Sequence, residues 1–261
     1  MIPLPDSVLY RGMSIVTDAP AATEPDPLEP DDPLAPYYGV GAGLIAIRYS
    51  PDAVTLDDAG RVTALQNMGG AGAMFDATVT GTPLAVADGM IQFDQTGYAA
   101  AANVIDLNGV HLMYLADLAE FTVATRILGG SGFEIRTGIN ATTGWLLQTW
   151  SNLSGAATTT NLSTNRQTNT RAKRLIEHRF FSGVQTTWVD GVQVGSNAII
   201  ATDAEGHLPV DRIGAGSGPT GITTGFRGGM GSILGVTLGS DDDATVVAAA
   251  RAALIAERDA A

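Results

Sequence analysis

Two tryptophans five residues apart, Trp145 and Trp150, sit in the most amide- and hydroxyl-rich stretch of the chain. Around them stand Asn140, Gln148, Asn152, Asn161 and Asn165, and the stretch closes on Arg166, Arg171 and Lys173. A flat aromatic ring offers a broad apolar face on which a sugar ring can lie. Carboxamides both donate and accept hydrogen bonds, as vicinal hydroxyls require. Guanidinium groups meet a carboxylate or sulfate. The chemistry these types support is non-covalent recognition of a carbohydrate, with Trp145, Trp150, Gln148, Asn140, Asn161, Arg166 and Arg171 as candidate ligand-binding residues. In a regular strand a spacing of five puts the two tryptophans on opposite sides, one in the core and one outward; an outward Trp150 would share its side with Gln148. The same residues would also suit a strand pair that simply faces water, since antiparallel sheets often expose one polar face.

Residue types that catalyse are scattered. His111, His178 and His207 lie far apart, and no H-E-x-x-H or Ser/His/Asp pattern accompanies them. Glu120, Glu134 and Glu177 are isolated from one another; sequence leaves open whether they converge in space. Asp203-Ala204-Glu205 and Glu257-Arg258-Asp259 have the alternating spacing of a carboxylate pair, but the first is flanked by turn residues and the second belongs to a helical segment. Gly129-Gly130-Ser131-Gly132 and Gly214-Ala215-Gly216-Ser217-Gly218 lack the Lys-Ser/Thr ending of a phosphate loop. Asp52, Asp57, Asp58 and Asp94 are candidates, by residue type only, for the hard oxygen ligands that a calcium ion would need, although acids are common in β-turns for conformational reasons alone. No catalytic residue and no other cofactor is expected.

The elements that must position these residues are strands. Arg174–Ser196 reads as three consecutive antiparallel strands. Ile176, His178 and Phe180 alternate with Leu175, Glu177, Arg179 and Phe181, Ser182-Gly183 breaks the run, and Asp190-Gly191 is a type I′ hairpin signal. Leu44–Tyr49, Arg61–Gln66, Ala119–Leu128, Phe133–Gly138, Trp145–Ser151, Ala156–Leu162, Val210–Gly214 and Thr224–Leu238 are further strands, with Gly129–Gly132 as a turn. Ala244–Ala260 is a helix with Val246, Val247, Ala250, Leu254 and Ile255 at helical spacing, Ser240 as its N-cap and Asp241–Asp243 in its first turn.

The segment Trp188-Val189-Asp190-Gly191-Val192-Gln193-Val194-Gly195 resembles the central hairpin of the concanavalin A-like, or laminin-G-like, jelly-roll domains. Arg212-Ile213-Gly214-Ala215-Gly216 and Gly225-Phe226-Arg227-Gly228-Gly229-Met230-Gly231-Ser232 resemble their closing strands, and Gly60-Arg61-Val62-Thr63-Ala64-Leu65 their opening. The resemblance covers roughly residues 44–238 and implies an all-β, antiparallel two-sheet sandwich. Glucanases of this fold would carry E-x-D-x-E on one strand; that triplet is absent.

The chain divides into an N-terminal arm and acidic Pro-rich linker (1–36), the jelly roll (37–239) and the C-terminal helix packed on it (240–261). Six prolines and six acids fall within the nineteen residues Asp18–Pro36, a composition that favours extended, unpacked chain. A net charge of −13 argues against general nucleic-acid binding. It is unevenly spread, because residues 121–180 hold seven bases and two acids. No run of 18 apolar residues exists that could insert in a membrane, and Met1–Pro20 lacks the basic start and apolar core of a secretory signal. There is no cysteine, and Arg outnumbers Lys by 13 to one, as in a high-GC bacterial or phage genome.

Together with the resemblance, these features imply a non-catalytic carbohydrate-binding adhesion module of a virion-like particle, a phage or gene-transfer-agent head or tail spike or fibre. Made in the bacterial cytoplasm, it would recognise host cell-surface polysaccharide and join other spike or virion proteins through residues 1–36. Self-association into a homo-oligomer stays open. The alternatives are a glycan-active hydrolase or lyase on the same fold, or a purely structural spike subunit.

Overall fold

The computed structural model describes residues 32–82, 84–117, 125–140, 144–153, 156–162, 173–199, 202, 205–216, 225–239 and 243–260. For the strands between 137 and 162 it describes backbone and register, Thr149 being the one side chain described there. The described residues form two antiparallel sheets packed face to face and one C-terminal helix.

The first sheet has eight strands. It holds β1 (Leu44–Tyr49), β5 (Ala85–Ala87), β6 (Met90–Asp94), β8 (Val110–Asp117), β13 (Lys173–Phe181), β14 (Val184–Val189), β15 (Val192–Ala198) and β17 (Arg227–Thr237). Its order is β15-β14-β13-β8-β17-β6-β5, and β1 pairs with the later part of β17. The second sheet has nine: β2 (Val54–Leu56), β3 (Val62–Leu65), β4 (Ala77–Thr80), β7 (Tyr98–Asp106), β9 (Thr125–Gly130), β10 (Phe133–Asn140), β11 (Gly144–Leu153), β12 (Ala156–Leu162) and β16 (Pro209–Ile213). They run β12-β11-β10-β9-β16-β7-β4-β3-β2.

Turn chemistry sets the hairpins. Asp190 and Gly191 take φ of 49° and 77°, and Ser182 and Gly183 take 51° and 74°. Positive φ at both central residues gives the turn a twist that matches the flanking strands. Asp190 adds a second function. Its Oδ1 accepts from the Leu175 N–H at 3.0 Å and from Arg258 Nη1 at 3.2 Å, and its Oδ2 accepts from Arg174 Nη1 at 2.7 Å. One turn carboxylate thereby ties β13, β14 and the last turn of the helix together. Asp190→Ala is expected to cost about 2 kcal/mol, the sum of left-handed strain and lost hydrogen bonds, and Asp190→Asn about half of that. Thermal melting of both variants is the check; equal losses would show that backbone conformation contributes nothing.

The inter-sheet core contains Tyr49, Phe75, Phe93, Ile127, Phe133, Ile135, Ile176, Phe180 and Phe226, each at most 4% exposed. A second apolar layer lies on the outer face of the eight-stranded sheet. There Met113, Leu115, Leu175, Leu234 and Val236 meet Val246, Val247, Ala250 and Leu254 of α1 (Ala244–Asp259). The β13 faces follow the alternation: Ile176, His178 and Phe180 point between the sheets, while Leu175 and Glu177 point under the helix. Residues 32–38, placed with the arm and domain start on composition, pack here too. Leu34 is buried in the helix-side layer, Tyr38 Oη donates to Asp32 Oδ2 at 2.7 Å, and Arg48 pairs with both groups. Burial alone would raise the Asp32 carboxyl, but the hydrogen bonds from Tyr38 and the Leu34 N–H, with the Arg48 charge, hold it below the usual range.

Two local expectations are corrected. The helix N-cap position belongs to Asp243, whose Oδ2 accepts from the Gly239 N–H at 2.6 Å and so fastens the helix start to the end of β17; Ser240 lies outside the described residues. The turn after β9 is Ser131-Gly132 alone, and Gly129 and Gly130 remain in the strand. Their lack of a side chain serves close backbone approach. A Cβ on Gly130 would stand 2.2 Å from the Pro209 carbonyl oxygen, and one on Gly129 2.6 Å from that of Ala215.

Candidate functional site

The helix covers the outer face of one sheet, and the outer face of the nine-stranded sheet carries no helix among the described residues. Alternation and register identify what occupies that face. Phe133 and Ile135 are buried between the sheets, so Glu134 and Arg136 belong to the outward side of β10. In β9 the residues opposite them are Gly129 and Arg126; in β11 they are Trp150 and Gln148. Gln148 in turn stands opposite Asn161 of β12, and Arg212 of β16 stands opposite Gly129. Position 149 has the other sense: Thr149 is buried and its Oγ1 donates to Gln185 Oε1, on β14 of the facing sheet, at 2.7 Å.

A charged cluster occupies the middle of this face. Arg126 Nε donates to Glu134 Oε2 at 3.2 Å, and Arg136 Nη1 lies 3.9 Å from the same oxygen. Burial, with Arg126 alongside, pulls the Arg136 guanidinium below the usual arginine range, against the pull of Glu134. The chain leaving β16 folds over the cluster. A Cβ on Gly216 would come within 2.4 Å of Glu134 Oε1, and Arg212 Nη1 donates to the Gly216 carbonyl at 2.9 Å, pinning that backbone in place. Beside it, burial raises the Asp211 carboxyl, against the Arg212 charge.

The candidate residues distribute as follows. Trp145, Gln148 and Trp150 all lie on β11, Asn140 ends β10 and Asn161 lies on β12. Register brings Gln148 and Asn161 together, and pairs Trp145 with Ile139, on the positions that alternate with the outward ones. The side chains of these five, and Arg166 and Arg171 altogether, lie outside the described residues. Lys173 is elsewhere, on the eight-stranded sheet, where its Nζ donates to the Asp88 carbonyl at 2.9 Å. Sequence reasoning missed Arg126, Arg136 and Arg212 as members of one site; only their place in a base-rich stretch hinted at the first two.

Glu134 and Glu177 do not converge. Glu134 is on the open face, and Glu177 is on the opposite side of the molecule beneath α1, held by Arg251 and His111. Glu257 Oε1 accepts from the Ser232 N–H at 2.9 Å; Glu120 lies outside the described residues. His178 is fully buried between Tyr114 Oη at 3.2 Å and Thr187 Oγ1 at 3.0 Å, closed to any substrate. Burial pushes its pKa down to about 3, with His111 adding to the effect. Asp57 accepts from the Ala59 and Arg61 N–H groups, and Asp94 from those of Thr96 and Gly97, so both act as turn formers. Among the described residues no three His, Asp or Glu side chains gather as a metal site would need.

No family model and no curated protein matches the chain. Solved structures do. Domain 4 of AbnA, a GH43 extracellular arabinanase from Geobacillus stearothermophilus, in complex with arabinotriose, is 15% identical; the match covers 79% of this chain and 98% of that domain, with a TM-score of 0.53. A mutant of Trypanosoma rangeli sialidase displaying trans-sialidase activity is also 15% identical, over 83% of this chain and 36% of the sialidase, with a TM-score of 0.51. The chain therefore spans about a third of the sialidase it matches. At this identity the likeness is one of fold, the two-sheet sandwich.

Proposed function

We propose that this chain is a non-catalytic carbohydrate-binding module that holds host surface polysaccharide on the open face of its nine-stranded sheet, as the adhesive part of a virion-like head or tail spike or fibre. One observation carries the reading. Of the two outer sheet faces, one is sealed by α1 and the other presents register-aligned positions of the kind a sugar needs: Trp150 beside Glu134, and Arg136, Gln148 and Asn161 in one cross-strand row. The fold supports it, being shared with an arabinanase domain solved with arabinotriose bound. Residues 1–36, of which Asp32 and Leu34 pack on the sandwich, are the segment that would join the module to its particle. The absence of the E-x-D-x-E triplet from the sequence supports binding over hydrolysis, since glycoside cleavage uses two carboxyl groups flanking one bond.

A glycan array probed with the full chain is the test. Binding to bacterial surface glycans without sugar release is expected, and release of sugar would replace this reading with an enzyme. Trp150→Ala is expected to weaken the captured ligand about tenfold or more, as truncating an aromatic anchor does, while the melting temperature stays put. A Trp150→Ala chain that binds normally would remove β11 from the site.

A further inference from the structure

This inference rests on the reading of residues 1–36 as a tether and concerns where that tether is fastened. We propose that residues 32–38 form a strap, latched to the sandwich by Arg48, that lifts about the glycine-rich segment 39–43 while the two sheets stay together, so that the arm gains reach without unfolding the module.

The strap is held by few groups. Leu34 is its one fully buried side chain, set in the layer beneath α1, and Tyr37 and Tyr38 lie half-buried against the same layer. Its backbone hydrogen bonds close on themselves: the Ala35, Tyr37 and Tyr38 N–H groups donate to the Asp32, Leu34 and Ala35 carbonyls. Among the described residues, its one ladder contact with a sheet is the isolated bridge of Tyr38 with Ile45. A segment with so little buried apolar surface opens at lower free energy than the core it lies on.

The latch is polar and compact. Asp32 accepts from the Leu34 N–H at 2.9 Å and from Tyr38 Oη at 2.7 Å, and Arg48 Nη1 pairs with both Asp32 Oδ2 and Tyr38 Oη. The Arg48 guanidinium also stands 5.8 Å from the centre of the Tyr38 ring. Arg48 belongs to β1 and is fixed apart from the strap, its N–H donating to Asn67 Oδ1 at 2.8 Å. The strap can therefore leave and Arg48 remains. Arg48 Nε is buried with no acceptor, a donor that water satisfies once the strap lifts, which lowers the cost of opening.

The hinge follows directly. Gly41 and Gly43 take φ of 141° and 72°, and the Gly43 N–H donates to the Thr237 carbonyl at 2.8 Å, fastening the far end of the hinge to β17. Residues 32–43 drawn out straight would add up to about 40 Å to the tether.

Hydrogen exchange of the full chain is the first test. The Tyr37, Tyr38 and Gly39 amides are expected to exchange through an opening of their own, faster than those of β8 and with little dependence on denaturant. Arg48→Met should speed them about a hundredfold, as stranding a buried carboxylate does, and leave Leu112–Leu115 within about threefold. Leu34→Ala should act in the same direction through the lost apolar anchor. Strap amides that keep pace with β8 in the unaltered chain overturn the proposal, and so does an equal rise at strap and core in both variants. The second test is mechanical. The chain has no cysteine, so Val192→Cys, at a position 60% exposed, gives a single handle for pulling against the N-terminus. A lengthening of up to about 40 Å is expected before the sheets yield; rupture of the sheets with no such step removes the gain in reach. Both measurements are made on the isolated chain, so an arm that joins no particle would defeat the tether reading and leave the strap standing.

Discussion

Arg251→Leu is expected to lower the unfolding free energy by about 3–5 kcal/mol, the range for stranding one member of a buried ion pair. Glu177 has no exposed surface, and two groups hold its carboxylate through three contacts. Arg251 grips it with two bonds, Nε to Oε1 at 2.9 Å and Nη2 to Oε2 at 2.7 Å, and His111 Nε2 lies 3.0 Å from Oε2. Trp188 stacks on His111 at 5.6 Å and shuts the pocket from the side. Removing Arg251 leaves the charge under an apolar helix with one partner. The reverse change is milder: after Glu177→Leu the Arg251 side chain, 35% exposed, can turn to water. Combining Glu177→Leu with Arg251→Leu should recover most of the loss, because an apolar contact then extends the layer already formed by Met113, Leu175 and Leu254. Denaturant unfolding of the three variants checks the order. Arg251→Leu costing no more than Glu177→Leu would mean that the pair does not hold the helix down.

That network shows where the sequence stops being legible. Glu177 and Arg251 are 74 positions apart, and nothing local marks either as the other's partner. The hairpins were readable because their information is local: Asp190-Gly191 and Ser182-Gly183 state their φ requirement in residue type, and the alternation of β13 states which side faces which layer. The strands β7 and β8, by contrast, fall in a stretch where no element was expected. Val110–Ala116 of β8 is buried on both sides, between the sheet core and the helix layer, so its period-two signal vanishes. Tyr98–Asp106 of β7 contains a run of four alanines that reads equally as helix or strand. Gly129 and Gly130 misled for a related reason. Glycine in sequence signals freedom to turn, whereas here it signals a neighbouring backbone too close for a Cβ. The base-rich middle was visible in composition, but only pairing of β9 with β10 brings Arg126 and Arg136 together over Glu134.

Acid should unfold the chain in two stages, the first of them set by His178. Burial holds this imidazole neutral down to about pH 3, while in the unfolded chain it titrates near 6.5. Between those values the unfolded state binds a proton that the native state refuses, so stability is complete above pH 6.5 and is lost as pH falls toward 3. The slope approaches about 1.4 kcal/mol per pH unit, for a total of roughly 4–5 kcal/mol. Glu177 adds the second stage. Burial works to raise its pKa, but the bonds from His111 and Arg251 and the Arg251 charge hold it at about 2 against an ordinary 4.5. Its contribution is present above pH 4.5 and drains away between there and 2, which steepens the curve just where His178 is finishing. The two are separable by substitution. His178→Gln can still bond Tyr114 Oη or Thr187 Oγ1 and no longer titrates; it should flatten the curve between pH 6.5 and 4.5 and reduce, without abolishing, the slope of the limb below pH 4.5. Urea midpoints taken across this range would show it. A His178→Gln curve that keeps its slope above pH 4.5 would place the early loss on another group and remove the buried imidazole from the account of acid stability.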